Sequence, residues 1–254
     1  MTIRIATDGA VTTLSFDRPD RKNAITADMY GRLADGLTAA AADASVRVAV
    51  IGGDETVFTA GNDLGDFIDN PPHGADSPVF RFLQAISAFP KPLIAAVCGP
   101  AVGVGTTLLL HCDLVYAGDN ARFALPFVNL GLCPEAASSL LLPRLAGHAR
   151  AAEKLLFGEP FGAPEALAMG IVNKILPPAD VAAFAGERAR ELAAKPISAL
   201  LTTKALMKQS IAPQVAAVMA EEGGHFRRML GEPAARETFA AFMQKRKPDF
   251  SKVG

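Results

Sequence analysis

Two glycine-bearing loops and one carboxylate carry the chemistry on offer in this chain of 254 residues. The first loop lies within residues 98–113, CGPAVGVGTTLLLHCD, where Gly99, Gly103 and Gly105 are followed by an apolar run of helix length. Glycine reaches backbone conformations closed to other residues and lets a ligand approach the main chain, and a helix start adds unpaired N–H donors with a partial positive charge. Together these suit an anion that develops during a reaction. The second loop, residues 58–63 (FTAGND), comes shortly after an apolar, strand-like run, and α/β folds place ligands at the carboxyl ends of strands. The carboxylate is Glu135. Pro134 reads as the first residue of a helix closed before Pro143, which puts Glu135 in the first turn at the positive end. Without further context that is a carboxylate steadying a helix by about 0.3 to 1 kcal/mol.

Other chemistries lack their residues. A phosphate loop needs Gly-Lys-[Ser/Thr], and Gly105-Thr106 has no lysine. A dinucleotide fingerprint needs a third glycine where Leu108 stands. The nucleophile elbow GxSxG is absent, and Ser138 and Ser139 read as ordinary helix residues. Cys98, Cys112 and Cys133 have no CxxC spacing and read as small core residues in a reducing compartment. His73, His111, His148 and His225 form no HxxxH or HExxH pattern, so no metal site is expected. Half the residues are hydrophobic and a fifth are charged, which specifies a folded chain. A formal net charge of −1 gives no general attraction for nucleic acid or an acidic membrane. With no leader-like segment and no apolar run long enough to span a bilayer, a cytoplasmic protein is expected.

The elements that must position these groups alternate along the first half. IRIAT and VTTLSF flank Asp8-Gly9 as a hairpin. A polar basic loop, DRPDRKNAI (17–25), precedes a helix capped by Thr26, with Met29, Tyr30, Leu33 and Leu37 on its apolar face. VRVAVIGG (46–53) is a third strand, NPPHGADSP (70–78) a loop, and a helix over about 79–89 leads to the strand PLIAAVC (92–98). DLVYAG (113–118) is a further strand. Beyond residue 119 the chain turns mostly helical, with one short strand, IVNKIL (171–176), and an alanine-rich last third suited to packing against helices, including those of another subunit.

In their order and spacing, the segments DRPDRKNAI, FTAGNDL (58–64), GPAVGVGTTLLLHCDLVYA (99–117), ALPFVNLGLCPEAASSLLLPRLAG (124–147), GEPFGAPEALAMGIVNKI (158–175) and FMQKRKPDF (242–250) resemble the crotonase, or enoyl-CoA hydratase/isomerase, superfamily over nearly the whole chain. The resemblance implies an α/β fold with a crotonase-like ββα spiral core over 1–195 and a C-terminal helical region over 196–254 for trimerisation and active-site closure. It implies a homotrimer or dimer of trimers acting on a coenzyme A thioester, with no permanently bound cofactor. By resemblance, the backbone N–H groups of Asn62 and Val104 form an oxyanion hole for the thioester oxygen. Arg21, Lys22, Ala60, Asp63, Leu64 and Lys247 border the coenzyme A, and Phe67, Thr107, Phe127 and Leu132 border the acyl group. Backbone donors tolerate side-chain change, so Val104 in place of the usual glycine narrows the pocket without removing the donor.

The acid/base positions point to a reaction. Hydratases of the superfamily use two glutamates to activate water, and those positions here are Thr107 and Phe127, neither a base at neutral pH. Glu135 stands where Δ3,Δ2-enoyl-CoA isomerases carry their single catalytic glutamate. A double-bond shift needs one base: it takes a proton from C2 and returns it to C4 while the oxyanion hole holds the dienolate. Apolar Phe127, Leu132 and Cys133 are expected to raise the glutamate's pKa, against the pull of the helix start. A hydratase and a CoA-binding protein without turnover are the alternatives.

Overall fold

The computed structural model describes residues 2–70, 74 and 76–253. The loop expected at 70–78, together with His73, falls partly outside the described residues. The opening alternation forms an antiparallel hairpin, β1 (Ile3–Asp8) and β2 (Val11–Phe16), with Ile3 opposite Phe16 and Asp8 opposite Val11. Thr26 caps helix α1 (Ala27–Ala42), its hydroxyl accepting the Met29 N–H, and the helix buries Met29, Tyr30, Leu33 and Leu37.

Strands β3 (Val48–Gly52), β4 (Leu93–Val97), β5 (Pro100–Val102), β6 (Leu114–Gly118), β7 (Arg122–Ala124), β8 (Phe161–Gly162) and β9 (Lys174–Leu176) follow. They build two sheets. The larger runs β1-β2-β3-β4-β6-β9 and is parallel except for the hairpin, whereas the smaller runs β5-β7-β8. The remaining helices are α2 (Leu64–Asp69), α3 (Pro78–Ser87), α4 (Val104–Thr107), α5 (Ser138–Ala146), α6 (His148–Phe157), α7 (Ala163–Ala168), α8 (Pro178–Ala193), α9 (Ile197–Gln209), α10 (Ala212–Leu230) and α11 (Pro233–Met243).

Both faces of the large sheet are covered, as its continuous apolar strands require. On one face Val48, Val50, Ile94 and Tyr116 pack against Val181, Ala185 and Ala189 of α8. On the other, Leu14, Ala49 and Ile51 meet Met29, Leu33 and Leu37 of α1 and the Phe82 and Ile86 side chains of α3 in the main core. This is the mixed α/β architecture with a helical C-terminal portion expected of a crotonase-like chain. Among the described residues no helix is long and apolar enough to cross a membrane.

Three elements depart from expectation. The apolar run after Gly103 is one turn of helix, α4, continued by a 3-10 turn over Leu108–His111. It is buried on all sides, so packing rather than length holds it. The aperiodic stretch after Asn62 contains α2, because the Asp63 carboxylate accepts the Gly65 and Asp66 N–H groups and starts a helix that periodicity does not announce. Most consequentially, Glu135 is not in the first turn of a helix. Ala136 and Ala137 take left-handed conformations, φ 60° and 55°, and α5 begins only at Ser138, with Pro143 inside it.

Candidate functional site

The two glycine loops are stitched together by main-chain bonds. Thr59 N–H donates to the Pro100 carbonyl at 2.9 Å, and Val102 N–H donates to Thr59 at 3.1 Å. Ala60 N–H reaches back to the Lys22 carbonyl at 2.9 Å, and Ile25 N–H reaches the Gly61 carbonyl at 2.8 Å, so the basic loop joins the same assembly. Gly61 has φ +86°, and a Cβ there would lie 2.7 Å from the Val102 carbonyl oxygen; only glycine allows this approach. Gly103, at φ +56°, turns the chain into α4.

This bonding leaves the N–H groups of Asn62 and Val104 without an acceptor among the described residues. Backbone donors in such surroundings are nearly always paired, so two open ones on one cavity mark a place for an acceptor from outside the chain. Both residues line one cavity of about 490 Å³, along with Phe67, Phe127, Leu132 and the C-terminal aromatics Phe226, Phe239 and Phe242.

Glu135 faces a narrow extension of this cavity, of about 20 Å³, which shares Asn62, Phe67 and Phe226 with the larger space. Its other walls come from Val79, Phe80 and Leu83 of α3 and from Met219 and Gly223 of α10. Burial among these groups raises the Glu135 carboxyl to about 7. The Thr107 hydroxyl, which donates to Oε1 at 2.6 Å, pulls it down, and the charge of Glu222 pushes it up. The expected apolar neighbours need correcting: Phe127 and Leu132 line the large cavity, while α3 and α10 supply the walls around the carboxylate. The expected helix-start effect is corrected too, because the start of α5 has another acid on it.

That acid is Glu222, from the middle of α10. One carboxylate oxygen accepts the Ala137 N–H at 2.6 Å, and the other accepts the N–H and hydroxyl of Ser139. Glu222 thereby fixes the left-handed turn that presents Glu135. On the other side, the buried imidazole of His111 bonds the Ala136 carbonyl at 2.8 Å, and burial lowers that ring's pKa to about 4. Tyr30, buried in α1, donates its hydroxyl to the side-chain oxygen of Asn62, and burial raises its pKa, with the charge of Glu135 adding to the effect.

Among the residues singled out from sequence, Arg21, Ala60, Asp63, Leu64, Phe67, Phe127 and Leu132 line the large cavity. The Asp63 carboxylate also pairs with Arg18 at 2.7 Å, which together with the α2 cap holds it below the usual carboxylate range against the opposing effect of burial. Thr107 does not reach the large cavity; it is fully buried behind Glu135. Lys22 ends the early turn in a left-handed conformation outside the cavity wall. Lys247 is exposed and lies outside that wall, and its neighbour Arg246 is engaged with Glu237. From sequence, Tyr30 reads only as a helix-face residue and His111 only as a scattered histidine, and Glu222 is not singled out at all. Tyr30 had a visible helical period that marked it as core, and nothing in the local sequence distinguishes Glu222.

Comparisons with known proteins agree with this layout. Residues 6–253 match the family model described as enoyl-CoA hydratase/isomerase. The chain is 37% identical over 228 residues to human enoyl-CoA delta isomerase 2, covering 87% of this chain but only 58% of that protein. It is 36% identical over 241 residues to 2,3-dehydroadipyl-CoA hydratase of Escherichia coli strain K12, covering 94% of each chain. Among solved structures, OdaA of Pseudomonas aeruginosa superposes with a TM-score of 0.93 at 50% identity over 95% of this chain and 98% of that one. The motifs, the sheet order and these matches coincide: the chain belongs to the enoyl-CoA hydratase/isomerase family, the crotonase superfamily.

Proposed function

We propose that the protein is an acyl-CoA double-bond isomerase converting a 3-enoyl thioester to the 2-enoyl isomer. Supporting this above all is Glu135, among the described residues the one carboxylate that lines the narrow space, raised to about 7 and opening towards the cavity that holds two open backbone donors. In this reading the N–H groups of Asn62 and Val104 hold the thioester oxygen as it becomes an enolate. Glu135 takes the C2 proton and, now neutral, delivers it to C4. Arg21, Lys22 and Lys247 serve the phosphates of coenzyme A, and Ala60, Asp63 and Leu64 border its path.

Hydration is the second reading, and the Escherichia coli relative's name favours it. It needs a second group to activate water. The carboxylate electrostatically coupled to Glu135 is Glu222, whose two oxygens are committed to Ala137 and Ser139. Mixing the protein with a 3-enoyl-CoA should therefore produce the absorbance of the conjugated thioester, while crotonyl-CoA should remain unhydrated. The reverse pattern would exchange the two readings, and coenzyme A binding without either reaction would leave a binding protein.

The pH profile tests the base. Glu135 must be ionised to act, so kcat/KM should rise with pH through the region near 7. Thr107→Val removes a bond that favours the ionised form, so the midpoint should move up; Glu222→Gln removes a repelling charge, so it should move down. Midpoints that stay put, or that move together, would remove Glu135 from the role.

The same reading includes a homotrimer or dimer of trimers. Phe242, which lines the cavity yet is 56% exposed, would be covered by a neighbour. A stable monomer in light scattering would contradict that assembly.

A further inference from the structure

The narrow space at Glu135 does not end there. It shares Phe80, Leu83 and Met219 with a second cavity of about 490 Å³ between α3 and α10, open to solvent at a rim where Gln84, Ala216 and Arg227 are exposed. Three spaces therefore lie in series: the large cavity, the neck at Glu135 and the distal cavity. An acyl chain with its thioester at Asn62 and Val104 that runs past Glu135 continues into this second cavity.

The distal wall is largely apolar, from Phe80, Leu83 and Met219, but it carries Gln84, Ser87 and a cation, Arg227. The guanidinium stands 5.1 Å from the Phe80 ring centre. Arg227 forms no ion pair among the described residues, whereas Arg228 next to it pairs with Glu232. This guanidinium, exposed at the rim of the cavity, seated on an aromatic face and without an acid partner among the described residues, presents donors to whatever enters.

The helix is shaped for this. Gly223 lies inside α10, where glycine costs roughly 0.5 to 1 kcal/mol relative to alanine, and its backbone does not need glycine's freedom. A Cβ there would stand 3.0 Å from the Phe80 ring and 3.5 Å from an Arg227 nitrogen. The missing side chain keeps the neck open and lets Phe80 and Arg227 sit together.

We propose that the distal cavity is a subsite for the far end of the acyl group, and that its ligand is a terminal carboxylate held by Arg227. The substrates would then be acyl-CoA thioesters with a second acid at the end remote from coenzyme A. This rests on the reading of the large cavity as an acyl-CoA site. Gln84 supplies a further hydrogen bond to the carboxylate, and the apolar walls take the intervening methylenes.

The test is binding rather than turnover. Saturated, unreactive acyl-CoAs are titrated calorimetrically in length-matched pairs, one ending in methyl and the other in carboxylate, with acetyl-CoA as reference. Beyond the length that clears the neck, the carboxylate member should bind about tenfold tighter, as a charge-assisted pair allows. Arg227→Glu should reverse that preference and leave acetyl-CoA binding unchanged. Gly223→Val should weaken only the long members of both kinds. Equal affinity within every pair, or a preference that survives Arg227→Glu, overturns the subsite and leaves the acyl-CoA reading standing. Failure of the unaltered protein to bind acetyl-CoA overturns both.

Discussion

On the proposed reading, Glu135→Gln should lower isomerisation by about 10² to 10⁴-fold, the usual contribution of a positioned acid/base group, with little change in coenzyme A affinity. Glutamine keeps the shape and still accepts the Thr107 hydroxyl bond, but its carboxamide neither takes the C2 proton nor returns one to C4. The same variant should be more stable than the parent above about pH 7. The sign follows from the raised carboxyl: its pKa climbs from 4.5 in the unfolded chain to about 7 in the folded one, so the folded state holds a proton that the unfolded state releases between those values. Stability from this group is present below 4.5 and is lost as pH rises towards 7. Discounted for partial exposure to the cavity, the cost of the ionised form is about 1 to 3 kcal/mol. Glutamine has no such cost. Chemical denaturation on both sides of the window measures it: a gain in stability at high pH with none at low pH, alongside lost turnover, identifies a strained functional carboxylate. Full activity in the glutamine variant would place the base elsewhere.

Much of the scaffold was legible because period and caps are local signals. The Asp8-Gly9 turn, the Thr26 cap and the β-branched runs at 46–53 and 92–98 each act over a few residues, and each produced the element they indicate. What the chain withheld was set across long separations. Nothing near Glu135 tells that Glu222, 87 residues later, will take the start of α5 and so release the glutamate from its helix; local rules put Glu135 after Pro134 in a first turn. The left-handed Ala136 and Ala137 are equally silent, because alanine avoids that conformation unless its surroundings compel it. Here the surroundings are the His111 bond to Ala136 and the Glu222 bond to Ala137, one on either side of the turn.

These two contacts also explain how one carboxylate is aimed without a helix beneath it. A helix start would give Glu135 a favourable field and lower its pKa, the wrong direction for the proposed base, which must work near neutrality. By assigning the N–H groups of α5 to Glu222, the fold removes that field from Glu135 and adds a like charge nearby. The turn supplies orientation, and α3 and α10 supply the dry walls. The neighbouring acid thus belongs to the support of the site even though it is not free to act on a substrate.

Gly61→Ala should lower kcat by about 10² to 10³-fold, close to the loss of one oxyanion donor, which is worth about 2.7 to 4 kcal/mol of barrier. Two effects combine at this position. A positive φ strains any residue with a Cβ by about 1 to 3 kcal/mol, and the new carbon would meet a backbone oxygen, that of Val102, at 2.7 Å. Backbone cannot swing aside as a flexible side chain does, so the Asn62 loop and the loop before Val104 must separate. On the proposed reading, the N–H groups of Asn62 and Val104 then no longer meet at one thioester oxygen. Gly103→Ala is the matched control: φ is again positive, at +56°, but nothing lies within 4 Å of the added carbon. That variant keeps the strain and lacks the clash, so its loss in kcat should be distinctly smaller at a comparable loss of stability. Similar kcat losses in the two variants would trace the effect to backbone strain alone, and an unimpaired Gly61→Ala enzyme would mean that the close approach of the two loops is not what holds the thioester oxygen.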